Sequence, residues 1–173
     1  GHSFKEAALK NPDSVGVIVT GQYTNEEFKS FFDYVSGELK VQNIYHWINN
    51  PESFDAFDGI LYRGDKNPNT NGLKAEMKAR GDFKSFEDLQ GKLSGFEVLL
   101  VLGPENQMQY PDMKEKAEMF GKAKSVIWLT ACGSEEIDSL RAPTTQIPMK
   151  AYIEKSGSFT NYRGLIQEFK VGT

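Results

Sequence analysis

An open, mostly parallel α/β sheet of the Rossmann-like kind, with helices on both faces, is the fold class this sequence predicts. Three observations lead there. Apolar, β-branched runs of strand length recur along the chain, glycine or another small residue closes them, and segments with helical spacing lie between them. Strands that alternate with helices join through right-handed crossovers into a sheet covered on both faces.

The first run, VGVIVTG from Val15 to Gly21, is apolar at nearly every position, as a strand buried on both sides must be. TNEEFKSFFDYVSGELK follows. Thr24 stands as an N-cap with Glu27 three residues on, and Phe28, Phe31, Phe32, Val35 and Leu39 fall at helical spacing. NIYHWI, Asn43 to Ile48, predicts the second strand. Residues 49–95 break the regularity with a short apolar run, a loop dense in Pro, Asn and Gly, and two short helical patterns. An excursion of that length between strands is uncommon unless it carries a function. FEVLLVLG (Phe96 to Gly103) and SVIWLTA (Ser125 to Ala131) are two more buried strands, separated by the helical pattern DMKEKAEMFGKA. SEEIDSLR reads as a short helix capped by Ser134, and TTQIPMKAYI then runs extended. The sheet is therefore expected to contain Val15–Thr20, Asn43–Ile48, Glu97–Leu102 and Ser125–Thr130.

The 173 residues, 39% hydrophobic, support one core, so a single domain is expected over 4–173, with Gly1-His2-Ser3 read as the remnant of a purification tag. Twenty Lys and Arg stand against 24 Asp and Glu, with no basic block, which argues against a nucleic-acid partner. The apolar runs fall far short of the ~20 residues that cross a bilayer, so no direct membrane insertion is expected. Cys132 is the single cysteine, which excludes an internal disulfide.

Open parallel sheets bind ligands beyond the C-terminal ends of their strands, which directs attention to Gly21–Thr24, Gly103–Gln109 and Ala131–Ser134. The first of these turns has one glycine where a dinucleotide fingerprint needs three, so NAD binding is disfavoured. Cys132 at a strand end has His46 as its only possible histidine base, inside a different strand; the pair reads as an incidental cysteine and a packed histidine. One cysteine and one histidine outside the tag cannot supply three or four N/S metal ligands. In RGDKNPNTNG, Arg63 to Gly72, Asp65 suits an Asx-turn, and Asn67-Pro68 and Asn71-Gly72 are turn dipeptides. The C-terminal EKSGSFTNYRGLIQEF reads as a hairpin or docking loop, with Gly157 and Gly164 supplying positive φ and with Phe159 and Phe169 packed onto the sheet.

FDGILYRGDKNPNTNG, LQGKLSGFEVLLVLGPEN and IPMKAYIEKSGSFTNYRGLIQEF share the order and spacing of the later part of the large subunit of molybdopterin oxidoreductases. The chain resembles that family from roughly Val15 to Phe169, and within it the G subunits of bacterial NADH:quinone oxidoreductases. The positions that match the family motifs are Asp65 to Asn69 in the first segment, and Ile147, Pro148, Glu154, Lys155, Gly157, Phe159, Thr160, Asn161, Gly164 and Gln167 in the last. Among them the resemblance makes eight the candidate cofactor-binding residues: Asp65, Asn67, Asn69, Gly157, Thr160, Asn161, Gly164 and Gln167. There are departures. Ser158 replaces a threonine, Arg163-Gly164-Leu165 stands where the family has Glu-Gly-Arg, and residues 142–148 lack the family's aspartate. Molybdenum enzymes of the family hold a pterin dinucleotide here, whereas the quinone-reductase G subunit keeps the scaffold without the metal. The departures favour the second case.

The resemblance thus implies a scaffold domain with no catalytic residues and no cofactor of its own, inactive when isolated. It implies iron–sulfur clusters elsewhere in the full-length subunit, and partners among the other domains and subunits of a respiratory complex. The expected location is cytoplasmic, peripheral to the inner membrane through that complex. The rival implication is a cofactor-contacting domain of a molybdopterin-dependent oxidoreductase; a stand-alone α/β enzyme or binding domain using Cys132 comes third.

Overall fold

The computed structural model describes residues 4–49, 59–60, 65–104 and 110–172. Five strands form one all-parallel sheet: β1 (Val15–Val19), β2 (Ile44–His46), β3 (Val98–Leu102), β4 (Val126–Thr130) and β5 (Thr144–Pro148), in the spatial order β2-β1-β3-β4-β5. All four strands read from the apolar runs are present in this sheet, shortened by one to three residues. The fifth comes from the stretch read only as extended. Its register with β4 places Thr145 beside Ile127 and Ile147 beside Leu129.

Among the described residues six α-helices surround the sheet: α1 (Phe4–Lys10), α2 (Asn25–Phe32), α3 (Thr70–Lys78), α4 (Phe86–Lys92), α5 (Met113–Phe120) and α6 (Glu135–Asp138). The N-terminus of α2 carries the predicted capping box: the Thr24 hydroxyl accepts from Glu27 N at 3.1 Å, and Glu27 Oε2 accepts from Thr24 N at 2.8 Å. The helix then continues through a π-helical turn, Asp33–Glu38. No element is predicted before Val15, yet α1 is present and buries Phe4, Ala7 and Ala8. Among the described residues no helix is long and apolar enough to cross a membrane.

The period-two alternation of the strands divides the core into two layers. On one face Val15, Val17 and Val19 of β1 and Leu100 of β3 pack with Phe28 and Phe32 of α2 and with Leu73 and Met77 of α3. On the other, Ile18, Leu99, Val101 and Trp128 pack with residues of α4, α5 and α6. Helices therefore lie on both faces, as predicted. Gly16 is required by this packing, because a Cβ there would lie 2.5 Å from the Phe96 ring. Coverage thins toward one edge. Ile127 and Leu129 of β4 are only partly buried, and most of β5 is exposed.

The chain after β5 closes as a two-stranded antiparallel hairpin, β6 (Gly157–Thr160) and β7 (Ile166–Phe169), and β6 lies against α2 and α3. Two expectations are corrected. Gly164 has φ +80° in the turn, but Gly157 is not in the left-handed region; it is a glycine because a Cβ would come within 2.6 Å of Thr24 Cγ2. Phe159 and Phe169 are half-buried against each other, ring centroids 4.6 Å apart, and belong to neither core layer, because the hairpin docks on helix N-termini beyond the end of the sheet.

Candidate functional site

Strand order reverses between β1 and β3, and the C-terminal ends of those strands are where sheets of this topology place ligands. Thr20 and Gly21 leave β1 there, Gly103 leaves β3, and the loop over 65–69 meets this end, Asn69 N donating to Gly21 O at 2.9 Å. Of the loops singled out from the sequence, Gly21–Thr24 and Ala131–Ser134 are described, whereas residues 105–109 of the Gly103–Gln109 loop and residues 63–64 of the Arg63–Gly72 loop lie outside the described residues.

Asp65 organises the loop. Its side chain is 2% exposed, and its Oδ1 accepts from Asn49 N (3.0 Å), Asn67 N (3.1 Å) and Asn67 Nδ2 (2.8 Å). The Asn67 N–H bond is the predicted Asx-turn. Oδ2 accepts from the Thr70 hydroxyl at 2.7 Å and lies 3.3 Å from His46 Nε2. Burial alone raises the Asp65 carboxyl, but the hydrogen bond and charge of His46, with Thr70 and the Asn49 N–H, more than offset it and hold the group below the usual carboxylate value. His46 is thus packed, as read from the sequence, and its partner is a carboxylate.

Asn67 extends the cluster, since its Oδ1 accepts from the Tyr110 hydroxyl at 2.8 Å. Tyr110 is 2% exposed. Burial, and then the Asp65 charge, push its phenol well above the ordinary value, so it is a permanent donor. Trp47 stands edge-on to the Tyr110 ring, and its indole N–H meets both oxygens of the Asp112 carboxylate at 3.2 Å. No local sequence signal marks Tyr110, Trp47 or Asp112 as members of this cluster.

Asn69, fully buried, faces the hairpin. Its Nδ2 donates to Tyr23 O at 2.7 Å and to Asn25 Oδ1 at 3.1 Å, and its Oδ1 accepts from Thr160 N at 2.7 Å. The Thr160 hydroxyl donates to Asn25 Oδ1, and Asn71 Nδ2 donates to Asn161 O at 2.8 Å. Within the hairpin, Asn161 Oδ1 accepts the N–H groups of Arg163 and Leu165, and Asn161 Nδ2 donates to Gln167 Oε1 at 3.1 Å.

Two carboxylates in the first turn of α2, Glu26 and Glu27, complete the seam. Glu26 accepts from Ser158 N (2.9 Å) and from the Ser158 hydroxyl (2.7 Å); against the upward pull of burial, these bonds hold its carboxyl below the usual value. Lys155, 8% exposed at its side chain, meets Glu27 Oε2 at 3.1 Å and lies over the Tyr23 ring.

The structure therefore brings together two motif segments some ninety positions apart: Asn69 meets Thr160, and Asn71 meets Asn161. Gly157 and Gly164 shape the hairpin, and Gln167 braces its turn. Tyr23, Asn25, Glu26, Glu27, Asn71, Lys155 and Ser158 also belong to the seam though not among the eight candidates; Lys155 matches the family motif in the sequence, whereas Asn25 and Glu26 look there like an ordinary first helical turn. Cys132 is exposed and joined through its backbone to the Thr130 hydroxyl. Among the described residues no group of three or more His, Cys, Asp or Glu converges as a metal site. Compared with known proteins, the chain matches no family model, no curated protein and no solved structure.

Proposed function

We propose that this chain is a scaffold domain of an NADH:quinone oxidoreductase G-like subunit, part of an electron-transfer complex and itself without a redox centre. One observation carries the reading. The polar atoms of the motif residues are largely spent on one another and on the chain's own backbone, with Asn69 satisfied by neighbouring segments and Asn161 by its own hairpin. A loop whose side chains are committed in this way braces a domain; a cofactor-binding loop keeps donors for its ligand. On this reading the partners are the other domains and subunits of the complex, and the domain is cytoplasmic and peripheral to the inner membrane. The rival, a cofactor-contacting domain of a molybdopterin-dependent oxidoreductase, draws support from the position of Asp65 and Asn67 at the strand-order reversal.

The test is isolation of the full-length protein from its native membranes by a tag on this domain. On the scaffold reading it comigrates with NADH–ferricyanide reductase activity on native gels and carries iron but no molybdenum. Stoichiometric molybdenum, or saturable stabilisation of the domain by guanine nucleotides, would favour the rival. Migration apart from any NADH-oxidising activity, without molybdenum, would sink both.

A further inference from the structure

At the opposite end of the sheet, where β1 and β2 begin, two ammonium groups meet on one neutral acceptor. Lys84 Nζ donates to Asn43 Oδ1 at 2.8 Å, and Lys92 Nζ donates to the same oxygen at 3.4 Å. Asn43 is 2% exposed, and its orientation is set from behind: Nδ2 donates to the carbonyls of Asp13 and Val15, both at 3.3 Å. The Lys84 backbone is also fixed, bridging the outer edge of β2 through its N–H to Ile44 O at 2.9 Å. Lys92 closes α4, where the C-terminal end of a helix favours a cation. Three elements thus present two positive charges at one point.

What is missing at that point is negative charge. Neither lysine has a carboxylate within ion-pair distance among the described residues, and Asp13 and Asp88 act on Lys84 only at longer range. Burial, and then the charge of Lys92, hold the Lys84 ammonium below the ordinary lysine value. Two like charges repel at this separation, and an amide oxygen does not neutralise them. Each ammonium has three donors and gives one to Asn43, leaving donors for further oxygens. We propose that Lys84, Lys92 and Asn43 form a binding site for a dianionic tetrahedral oxyanion, either inorganic phosphate or the terminal group of a phosphate monoester. Lysines at such a point act as compact charges for phosphate, and the fixed amide draws both ammonium groups to one oxygen. The site lies away from the seam and does not depend on the function proposed above.

The experiment is thermal unfolding of the chain in a titration with sodium phosphate, with sodium chloride at matched ionic strength, sodium acetate and glycerol phosphate in parallel. Phosphate should raise the Tm saturably. Lys84→Ala and Lys92→Ala should each weaken the apparent affinity at least about tenfold, whereas Lys29→Ala, on the exposed face of α2, should leave it unchanged. Lys92→Glu, which sets a fixed carboxylate beside Lys84, should abolish the response. Acetylation of Lys84 by limiting acetic anhydride, mapped by mass spectrometry, gives a readout independent of folding, and phosphate should protect that residue. Glycerol phosphate binding as tightly as phosphate would assign the site to monoesters, and weaker binding would assign it to the free ion. No saturable response, an equal response to chloride or acetate, or an unchanged response in Lys84→Ala would overturn the proposal.

Discussion

β1 and β6 are both short strands, yet opposite kinds of surroundings hold them. Every residue of β1 is buried, among aliphatic and aromatic side chains from both faces. In β6 only Ser158 is buried, and it is held by the Glu26 carboxylate. Apolar burial is non-directional and spread over many contacts, so the sheet's stability is shared widely. The hairpin depends on a few directional bonds. Each adds about 0.5–1.5 kcal/mol net, while a buried group left without its partner costs about 1–3 kcal/mol. The sheet should accordingly fail as a unit, and the hairpin should come away by itself.

The largest effect expected is on the sheet side. Phe28→Ala empties a fully buried position between α2 and β1, and should cost about 3–5 kcal/mol, read from denaturant unfolding as one cooperative transition. A biphasic curve would break the contrast, since the sheet would then not be one unit. Next comes the seam. Asn69→Ala strands Tyr23 O and Thr160 N at once, and should cost about 2–3 kcal/mol. In that variant limited proteolysis should cut within 150–172 while far-UV circular dichroism stays near that of the unaltered chain. A hairpin as resistant as before would show that other contacts hold it.

Asp65→Asn sharpens the comparison through pH. Because the folded chain holds this carboxyl below its ordinary value near 3.8, its contribution is present above that value and is lost as pH falls through the lower folded one. The gap between the unaltered chain and Asp65→Asn should be about 1–3 kcal/mol at neutral pH and should shrink as pH falls below about 4. A gap that widened in acid would reverse the assignment. The smallest effect belongs to the outer face of the hairpin: Ile166, 69% exposed, should change stability by no more than about 0.5 kcal/mol when replaced by serine. A larger loss would mean that this face is covered in solution.

The same division decides what could be read from the sequence. β1 and β3 stand out because strands buried on both faces are apolar throughout, β4 because it stays apolar from Val126 to Leu129 though one face is only partly covered, and the Thr24–Glu27 capping box is a local pattern with local partners. β5 is harder, since an edge strand largely open to solvent keeps Thr144, Thr145 and Gln146, and α1 is harder still because only Phe4, Ala7 and Ala8 mark its buried side. The seam was legible in half. Asp65 and Asn67 form a turn within three residues, so their chemistry shows in the sequence. Asn69 finds its acceptor at Tyr23 and its donor at Thr160, and Asn67 meets Tyr110; long-range polar pairing leaves no periodicity to detect. Gly157 illustrates the limit, because a glycine required by a close neighbour and one required by backbone conformation look alike until the neighbour is placed.

The contact between Gly16 and Phe96 carries a consequence for descent. The ring occupies the space where any other residue at position 16 would put its first side-chain carbon, at 2.5 Å. Enlarging position 16 alone overpacks the middle of the sheet, and shrinking position 96 alone leaves a void. Either step is disfavoured until the other has occurred, so in a lineage the two positions should change as a pair, glycine with the large ring or a small side chain with a smaller partner.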